Sequence, residues 1–444
     1  MKKKESIQFM RDLMRKIAKS VGDDEKSLTL IYEMIDCECD DIKLNTFPYS
    51  MLAFHYENGY GVPANGEKAI ELYKQILQMN PADDRAMFHI AECYYKGLGV
   101  DVDLEKALYW YVKSEDTGNY VIDDNPIIKH EISRYRNRIK IERSAEEKCF
   151  NKNTIYLKSF CIPKDEWTDY YFNVPIKRPK DLPEIYTHYH ADERTFHNSF
   201  YPWKTFYGRG LERLFFGNIT IFYGNNASGK STLLNIIAQK LGLQRLSLFN
   251  TSYFFDDFCK LNGGYELNDD FNSPKAIQRG IVIVSDDVFN NILAIRQRNF
   301  EKDQQISELE QEFFHRKNLP KSMSQSKFIK NTLGRKEEEM SNGEAAFQYF
   351  LEQITERSLV LLDEPENSLS AEWQMILSRE LYNMTTKGDC QFIIATHSPF
   401  ILALPQALIY NLDDDPIGVA EWYQLENMQT YYKLFSTHRI QFEK

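Results

Sequence analysis

A glycine-rich turn at residues 224–231 constrains the fold of this chain more than any other stretch. Its sequence, GNNASGKS, fits the pattern G-x-x-x-x-G-K-[ST]. The preceding segment, GNITIFYG, is rich in Ile, Tyr, Phe and Thr and predicts a β-strand. The following segment, TLLNIIAQKLGL, predicts an apolar helix. Strand, glycine loop and helix in this order predict an α/β domain that binds phosphate groups.

The residue types in this loop suit a nucleotide. Glycines let backbone N–H groups close around phosphate oxygens, and the N-terminus of the next helix adds the positive end of its dipole. We expect Lys230 to reach the β- and γ-phosphates of ATP and Ser231 to offer its hydroxyl to Mg²⁺. The predicted nucleotide contacts in the loop are Asn225, Asn226, Ala227, Ser228, Gly229, Lys230, Ser231 and Thr232.

Polar residues end two later strands. SLVLLDEPENSLS places Asp363 and Glu364 directly after four apolar residues, and QFIIATHSPF places His397 after another apolar run. We expect Asp363 to hold Mg²⁺ through water and Glu364 to act as the general base on the attacking water. His397 is expected to contact the γ-phosphate and that water. A lone histidine is usually structural, but its place at a strand end soon after the Asp-Glu pair favours a catalytic role.

A fourth segment, EMSNGEAAFQYFLEQI, precedes the Asp363 strand. It places Ser341, Gly343 and Glu344 at the N-terminus of a predicted helix, which is a second site suited to an anion. The expected buried face of this helix carries Phe347, Phe350, Leu351 and Ile354.

Along the chain the glycine-rich loop is followed by the Ser341 segment, then by Asp363 and Glu364, and then by His397. In this order the four segments resemble the ABC-type ATPase head over roughly residues 150–430. The resemblance implies ATP hydrolysis by a dimer, in which the loop of one subunit and the Ser341 turn of the other enclose one nucleotide. Ser341 and Gly343 would then act in trans. It also implies ATP and Mg²⁺ as cofactors.

Several departures from the ABC pattern favour its soluble branches over the transporters. The signature is MSNGE instead of LSGGQ, and Ser370 stands where transporters usually carry aspartate. No glutamine loop is evident, and the strand GIVIVSDDVF ends instead in Asp286 and Asp287. The chain therefore resembles SMC-like and overcoming-lysogenization-like ATPases. The charged, helix-prone segment 288–340 has room only for a short helical hairpin, about 35 Å along one arm.

The first third of the chain contains a repeat. Tyr56 and Tyr94, like Lys68 and Lys106, lie 38 residues apart within two related segments, and glycines recur at the same spacing. This period predicts stacked helix pairs. The segments resemble Sel-like tetratricopeptide repeats over about residues 49–118, which implies a surface that binds protein or a second copy. A purely structural arm is the alternative.

We therefore predict an α/β ABC-type P-loop ATPase head, residues 146–444, preceded by an all-α helical-repeat domain, residues 1–145. The 444 residues have a net charge of −11, so any nucleic acid is expected to bind through a local basic patch or a partner. The basic run SRYRNRIKIER, beginning at Ser133, either touches phosphates or is a solvated helix face. Scattered cysteines without a CxxC pair indicate a reducing cytoplasm, and no segment predicts a transmembrane helix.

Two further segments leave alternatives open. Of the aromatic residues Phe200, Tyr201, Trp203 and Phe206, one stacks on adenine or all pack at the edge of the core. The segment HYHADERTFH holds three histidines without recognised metal-ligand spacing, so a metal site there is the weaker interpretation.

The motif style most resembles the ATPase subunit of Septu-type and retron-linked anti-phage systems. That resemblance implies an oligomeric, ATP-sensing scaffold that restrains or licenses a separate HNH-type nuclease. No nuclease motif is evident in this chain, so any nuclease would be another polypeptide. Two alternatives remain: an SMC-like repair or recombination ATPase that binds DNA directly, and an ATP-gated protein-assembly module that never meets nucleic acid.

Overall fold

A computed structural model describes residues 3–20, 23–37, 41–118, 126–172, 200–252, 254–261, 263–269, 272–315, 323–333 and 341–443. The chain divides into two compact units, residues 1–137 and 138–444. The histidine-rich segment, with His188, His190 and His197, lies outside the described residues.

The first unit is built from helices. They are α1 Lys3–Lys19, α2 Asp24–Ile35, α3 Ile42–Asn58, α4 Gly66–Met79, α5 Asp84–Lys96, α6 Leu104–Thr117 and the start of α7 Pro126–Glu147. On α1, Met10, Leu13 and Ile17 are buried against α2 and α3, so the amphipathic N-terminal helix packs within its own unit.

The 38-residue period is visible in the turns between helices. Gly59 and Gly97 end α3 and α5 in the left-handed conformation, with φ of 74° and 68°. Glycine enters this conformation without the clash that a Cβ would cause. The side chains of Asn65 and Asp103 then cap α4 and α6 by accepting a backbone N–H three residues on, at 3.0 and 2.9 Å.

Side chains repeat with the same period. The Lys68 ammonium lies 5.2 Å from the ring centre of Tyr56, and that of Lys106 lies 5.4 Å from the ring centre of Tyr94. Ala69 and Ala107 are fully buried, which lets neighbouring helices approach closely. The predicted repeat is thus confirmed in its turns, caps and packing.

The second unit combines sheets and helices. Its strands are β1 Leu157–Cys161, β2 Arg213–Phe215, β3 Ile219–Tyr223, β4 Gln244–Arg245, β5 Tyr265–Leu267, β6 Ile281–Val284, β7 Leu359–Asp363, β8 Gln391–Ala395, β9 Leu408–Asn411 and β10 Gly418–Ala420. Its helices are the end of α7, α8 Asp165–Tyr171, α9 Trp203–Phe206, α10 Lys230–Leu241, α11 Phe255–Leu261, α12 Asn272–Gln278, α13 Ser285–His315, α14 Gln325–Leu333, α15 Asn342–Gln353, α16 Ala371–Lys387, α17 Pro399–Leu402, α18 Glu426–Thr437 and α19 Arg439–Phe442.

The main sheet has the strand order β10-β9-β3-β8-β7-β6-β4. All neighbours pair in parallel except β10 and β9. The central strands are buried on both faces, so their sequences are continuous apolar runs. Along β3, Ile219, Ile221 and Tyr223 face one core cluster and Phe222 faces the other. A smaller antiparallel sheet has the order β2-β1-β5.

Parallel strands bring their C-terminal ends to one edge of the sheet. In the register of the main sheet, Asp363 of β7 lies opposite Ala395 of β8, and Phe222 of β3 lies opposite the same residue. The loops that follow these three strands therefore meet at one place, which is the usual location of a ligand site in such sheets.

Within its described residues, the predicted insertion contains two helices. α13 begins at Ser285, directly after β6, and its 31 residues extend about 46 Å at 1.5 Å per residue, further than the 35 Å we expected. α14 packs on it, and the rings of Phe313 and Phe328 lie 5.7 Å apart.

Candidate functional site

The glycine-rich loop joins β3 to α10, as the sequence predicted. Gly224 and Gly229 adopt φ of 157° and 105°, and α10 begins at Lys230. A Cβ on Gly229 would lie 2.8 Å from Cε1 of Phe206, so this position has room only for glycine. The Lys230 ammonium donates to the carbonyl oxygens of Gly224 at 2.8 Å and Asn225 at 3.2 Å. These bonds hold its charge across the mouth of the loop.

Ser231 and Asp363 meet at the edge of the sheet. The Ser231 hydroxyl donates to Oδ1 of Asp363 at 2.9 Å. Burial raises the pKa of the Asp363 carboxyl to about 6, with a further increase from the nearby Glu364 charge, while the Ser231 hydrogen bond opposes the rise. A hydroxyl beside a carboxylate that lacks a full countercharge is the donor set that Mg²⁺ prefers, so these residues fit that ion.

Glu364 follows Asp363 in an unusual backbone conformation. Its φ of 49° is left-handed, which a residue with a side chain adopts only at some cost. The conformation is held by its N–H, which donates to the Ala395 carbonyl at 2.8 Å. Its Oε2 accepts from Nδ2 of Asn367 at 2.8 Å. This turn directs Glu364 out of the strand at the point where the loops meet.

His397 lies on the loop after β8. Its Nε2 atom is buried and has no hydrogen-bond partner among the described residues. Burial lowers the pKa of its imidazole, and the positive charge of Lys230 lowers it further, so the ring is neutral at pH 7. The rings of His397 and Tyr223 meet edge to face at 6.1 Å. A neutral imidazole with one unsatisfied nitrogen is suited to bind a phosphate oxygen or a water.

The Ser341 turn is not part of this cluster. Ser341 caps α15, and its side chain accepts the Glu344 N–H at 3.3 Å. Within the described residues, neither these two residues nor Gly343 forms a hydrogen bond to the glycine-rich loop. A Cβ on Gly343 would lie 2.5 Å from Cδ1 of Trp373, so packing also requires glycine there. The structure leaves the outer end of this turn exposed.

Two charged residues that the sequence analysis did not single out also reach the site. The Asp413 carboxylate accepts the Asn225 N–H at 2.9 and 2.8 Å and so braces the start of the loop. The Arg245 guanidinium donates to Oδ1 of Asn235 at 2.5 Å. Burial lowers the pKa of this guanidinium, and the Asp363 charge opposes the change. Asp413 follows β9, so the rule that strand ends meet at one edge would have indicated it. No sequence signal marks Arg245.

The aromatic segment before the loop is mainly core. Trp203 and Phe206 are buried, and the Trp203 ring stacks on Tyr171 at 4.5 Å. Tyr201 instead reaches the P-loop helix, where its hydroxyl donates to Oγ1 of Thr232 at 3.3 Å.

The basic run on α7 is partly neutralised. Arg136 forms ion pairs with Glu115, at 3.1 Å, and with Asp116. Lys140 donates to the Val419 carbonyl at 3.4 Å. These contacts leave fewer cations of the run to face a phosphate backbone.

Fold and site together define an α/β ATPase domain preceded by a helical-repeat region. The chain matches the family described as "AAA domain, putative AbiEii toxin, Type IV TA system" over residues 266–403, a segment that includes Asp363, Glu364 and His397 but not the glycine-rich loop. It matches the Sel1 repeat family over residues 49–80 and 84–119. These matches support an AAA-family ATPase with N-terminal Sel1 repeats.

Solved structures resemble only part of the chain. A Sel1 repeat protein from Oxalobacter formigenes is 18% identical over 28% of this chain and 55% of its own, with a TM-score of 0.22. A protective antigen of uropathogenic Escherichia coli with an SLR fold is 19% identical over 31% of this chain and 35% of its own, with a TM-score of 0.18. The chain thus spans about half or less of each. No curated protein matches it. Among the described residues, no helix has the length and apolar character needed to cross a bilayer.

Proposed function

We propose that this chain binds and hydrolyses ATP with Mg²⁺, to ADP and phosphate. The observation that carries the proposal is the hydrogen bond between Ser231 and Asp363, which joins the glycine-rich loop to the Asp-Glu strand end. Glu364 and His397 lie at the same edge of the sheet, on the loops after β7 and β8.

Each residue has a role that follows from its position. The N–H groups of the loop and the Lys230 ammonium bind the phosphates, and residues 225–232 form this cradle. Ser231 and Asp363 would hold Mg²⁺, which neutralises phosphate charge when bound. Glu364 takes the proton of the attacking water, and the neutral His397 imidazole orients that water or a γ-phosphate oxygen.

We further propose that two chains complete the site. Ser341, Gly343 and Glu344 form the N-terminus of α15, where N–H groups suit an anion, yet they make no hydrogen bond to the loop of their own chain among the described residues. A second copy supplies this turn to the nucleotide in a head-to-head dimer, or in a higher oligomer built from such pairs.

The biological setting rests on the sequence resemblance to Septu-type and retron-linked ATPase subunits. We propose that the chain is the ATPase of an anti-phage defence complex, which scaffolds or regulates a separate HNH-type nuclease and meets nucleic acid through that partner. The repeats provide the docking or oligomerising surface. None of the six described cysteines forms a disulfide, in keeping with a place in the cytoplasm.

Hydrolysis is tested by phosphate release from purified chain with ATP and Mg²⁺, and binding by calorimetry. Lys230→Ala removes the ammonium group that binds the phosphates and is expected to abolish ATP binding. Glu364→Gln is expected to retain binding and to lower kcat at least about 100-fold, the size of a lost general base. Glu364→Gln turnover at the rate of the unaltered chain would contradict the assignment of the base.

The defence setting is tested by expressing the chain with its neighbouring gene. A purified complex with a nuclease whose DNA cleavage changes with ATP would support the proposal. A lone ATPase that recruits no protein would contradict it.

Direct DNA binding is a second candidate, because α7 carries a run of cations. This candidate predicts binding to duplex DNA that weakens as the salt concentration rises. The binding is expected to be lost when Arg134, Arg136 and Arg138 are changed together. The ion pairs of Arg136 with Glu115 and Asp116 favour the first candidate. An ATP-gated assembly module, the remaining alternative, would bind protein and ignore DNA.

A further inference from the structure

The loops after β7 and β8 are joined by one carboxylate. Oε1 of Glu366 accepts the backbone N–H of His397 at 2.6 Å and that of Ser398 at 3.2 Å. Glu366 lies in the short helical turn Pro365–Ser368, directly after the Asp-Glu strand end. The residue therefore connects the loop that carries Glu364 to the loop that carries His397.

No other hydrogen bond holds the His397 N–H within the described part of the chain. The neighbouring Ser398 is fixed from elsewhere as well: its hydroxyl donates to Oε1 of Gln374 at 2.8 Å, and its N–H also donates to Oγ1 of Thr396 at 2.9 Å. Loss of Glu366 would therefore free the His397 peptide while the next peptide remained anchored.

The contact lies in a buried environment, where a polar atom without a hydrogen-bond partner is unfavourable. Oε2 of Glu366 and Nε2 of His397 are both buried, and neither has a hydrogen-bond partner among the described residues. Burial raises the pKa of the Glu366 carboxyl, whereas the N–H of His397 opposes the rise. A buried, half-satisfied carboxylate typically destabilises a fold, so its position at the joint between two site loops indicates a functional reason.

We propose that Glu366 is a positioning residue for ATP hydrolysis, which fixes the His397 peptide and thereby aims the His397 imidazole at the nucleotide. This inference rests on the proposed function. Its action requires an acceptor oxygen at Oε1 rather than a negative charge. It also acts through His397 and not on the nucleotide itself.

The test compares ATP turnover by the unaltered full-length chain with turnover by Glu366→Gln, Glu366→Ala and His397→Ala, and by Glu366→Ala and His397→Ala combined. Glu372→Gln is the matched control, since it neutralises an exposed glutamate in the first turn of α16. Glu366→Ala is expected to lower kcat at least about tenfold and to change KM for ATP less than about threefold, because positioning affects the chemical step. Glu366→Gln keeps the acceptor and is expected to retain kcat within about threefold.

The double variant separates positioning from a general structural effect. If Glu366 acts through His397, its loss in the His397→Ala background costs nothing further. Additive losses would overturn the inference, as would full activity of Glu366→Ala. Should Glu366→Ala fail to fold by circular dichroism, Glu366→Gln still decides: a loss of kcat above tenfold overturns the acceptor role, and retained kcat supports it. Absence of turnover in the unaltered chain would remove the proposed function and this inference together.

Discussion

At the scale of single residues, the site is a set of charges and one neutral ring held in unusual surroundings. Lys230 is buried, and this burial lowers its pKa, while the carboxylates Glu364 and Asp363 oppose the change. The opposing signs keep the lysine charged in a place where a lone cation would be unstable. A phosphate that entered the loop would find this charge already in position.

The depressed pKa of His397 predicts a pH dependence of stability. The unfolded imidazole has a pKa of about 6.5, and burial lowers the folded value. The unfolded state therefore binds protons more readily, so the stability that this residue contributes is complete above about pH 6.5 and is lost as the pH falls through the folded pKa. We expect His397→Asn to remove part of the acid sensitivity of the ATPase unit, up to about 1.4 kcal/mol per pH unit in that range. Thermal unfolding at pH 7.0 and 5.5 measures the difference, and equal acid sensitivity of both proteins would contradict it.

The residue scale also shows what sequence could and could not predict. Lys230, Ser231 and Asp363 were predicted because phosphate chemistry restricts both their types and their spacing. Arg245 was not predicted, because its approach to the Asp363 charge depends on the pairing of β4 with β6, far apart in sequence. Tertiary contacts of this kind leave no local pattern.

At the scale of elements, helices and turns repeat where the sequence repeats. Four strands of the main sheet, β3, β6, β7 and β8, were predicted from apolar runs, whereas β4, β9 and β10 were not. The repeat helices were predicted from the 38-residue period. The length of α13 was underestimated because it begins at Ser285, directly after β6, and because the two described helices of the insertion are unequal, with 31 residues in α13 and 9 in α14. A helix that directly follows a strand has no loop residues between the two to mark in the sequence where the helix begins.

Substitution by alanine is expected to destabilise the repeat region by different amounts at Gly66 and at Gly59. A Cβ on Gly66 would lie 1.4 Å from the Leu98 carbonyl oxygen, whereas one on Gly59 meets only ordinary contacts at 3.4 Å or more. Gly66→Ala is therefore expected to destabilise the repeat unit by more than about 3 kcal/mol, since backbone must shift. Gly59→Ala has only left-handed strain, about 1–2 kcal/mol. Thermal melts of the full chain by circular dichroism measure both, and an equal or larger effect of Gly59→Ala would contradict the close packing.

The Ser341 turn, which carries the signature sequence, gives a prediction about nucleotide sites shared between two chains. Ser341→Arg is expected to block the turn in trans, and Lys230→Ala to disable the loop, so each variant alone is inactive. A mixture can form heterodimers with one intact composite site and is expected to recover up to about one quarter of the unaltered rate, if each site fires independently. Phosphate release from the mixture measures this. Independent activity of Ser341→Arg alone would contradict action in trans.

At the scale of the whole molecule, the chain joins a repeat region to an ATPase domain, and each half has a core of its own. An acidic surface overall, with a charge of −11, disfavours direct contact with a phosphate backbone. Exposed aromatic side chains such as Tyr432, Phe435 and Phe442 near the end of the chain contrast with that charge.

ATP-dependent assembly is the prediction for the intact protein. Glu364→Gln is expected to retain ATP with only slow hydrolysis, and to shift to a dimer of twice the 52.3 kDa of one chain, or a multiple of it, when ATP and Mg²⁺ are added. Light scattering after size exclusion measures the mass. Lys230→Ala, which lacks the ammonium group that binds the phosphates, is the control. Its mass is expected not to change with ATP. An unchanged mass of Glu364→Gln with ATP bound would contradict closure by nucleotide.

The long helix α13 has the geometry of a lever. Its first turn is anchored beside the site, where the buried Asp287 accepts the Val284 N–H at 3.0 Å and a hydrogen bond from Ser247. Arg296, about a third of the way along, donates to Asn342 in the signature turn. Since the helix runs about 46 Å, a sideways shift of about 1 Å at Arg296 becomes nearly 3 Å at His315 if the base is the fulcrum. Closure of the signature turn on a nucleotide would thus be amplified into displacement at the far tip.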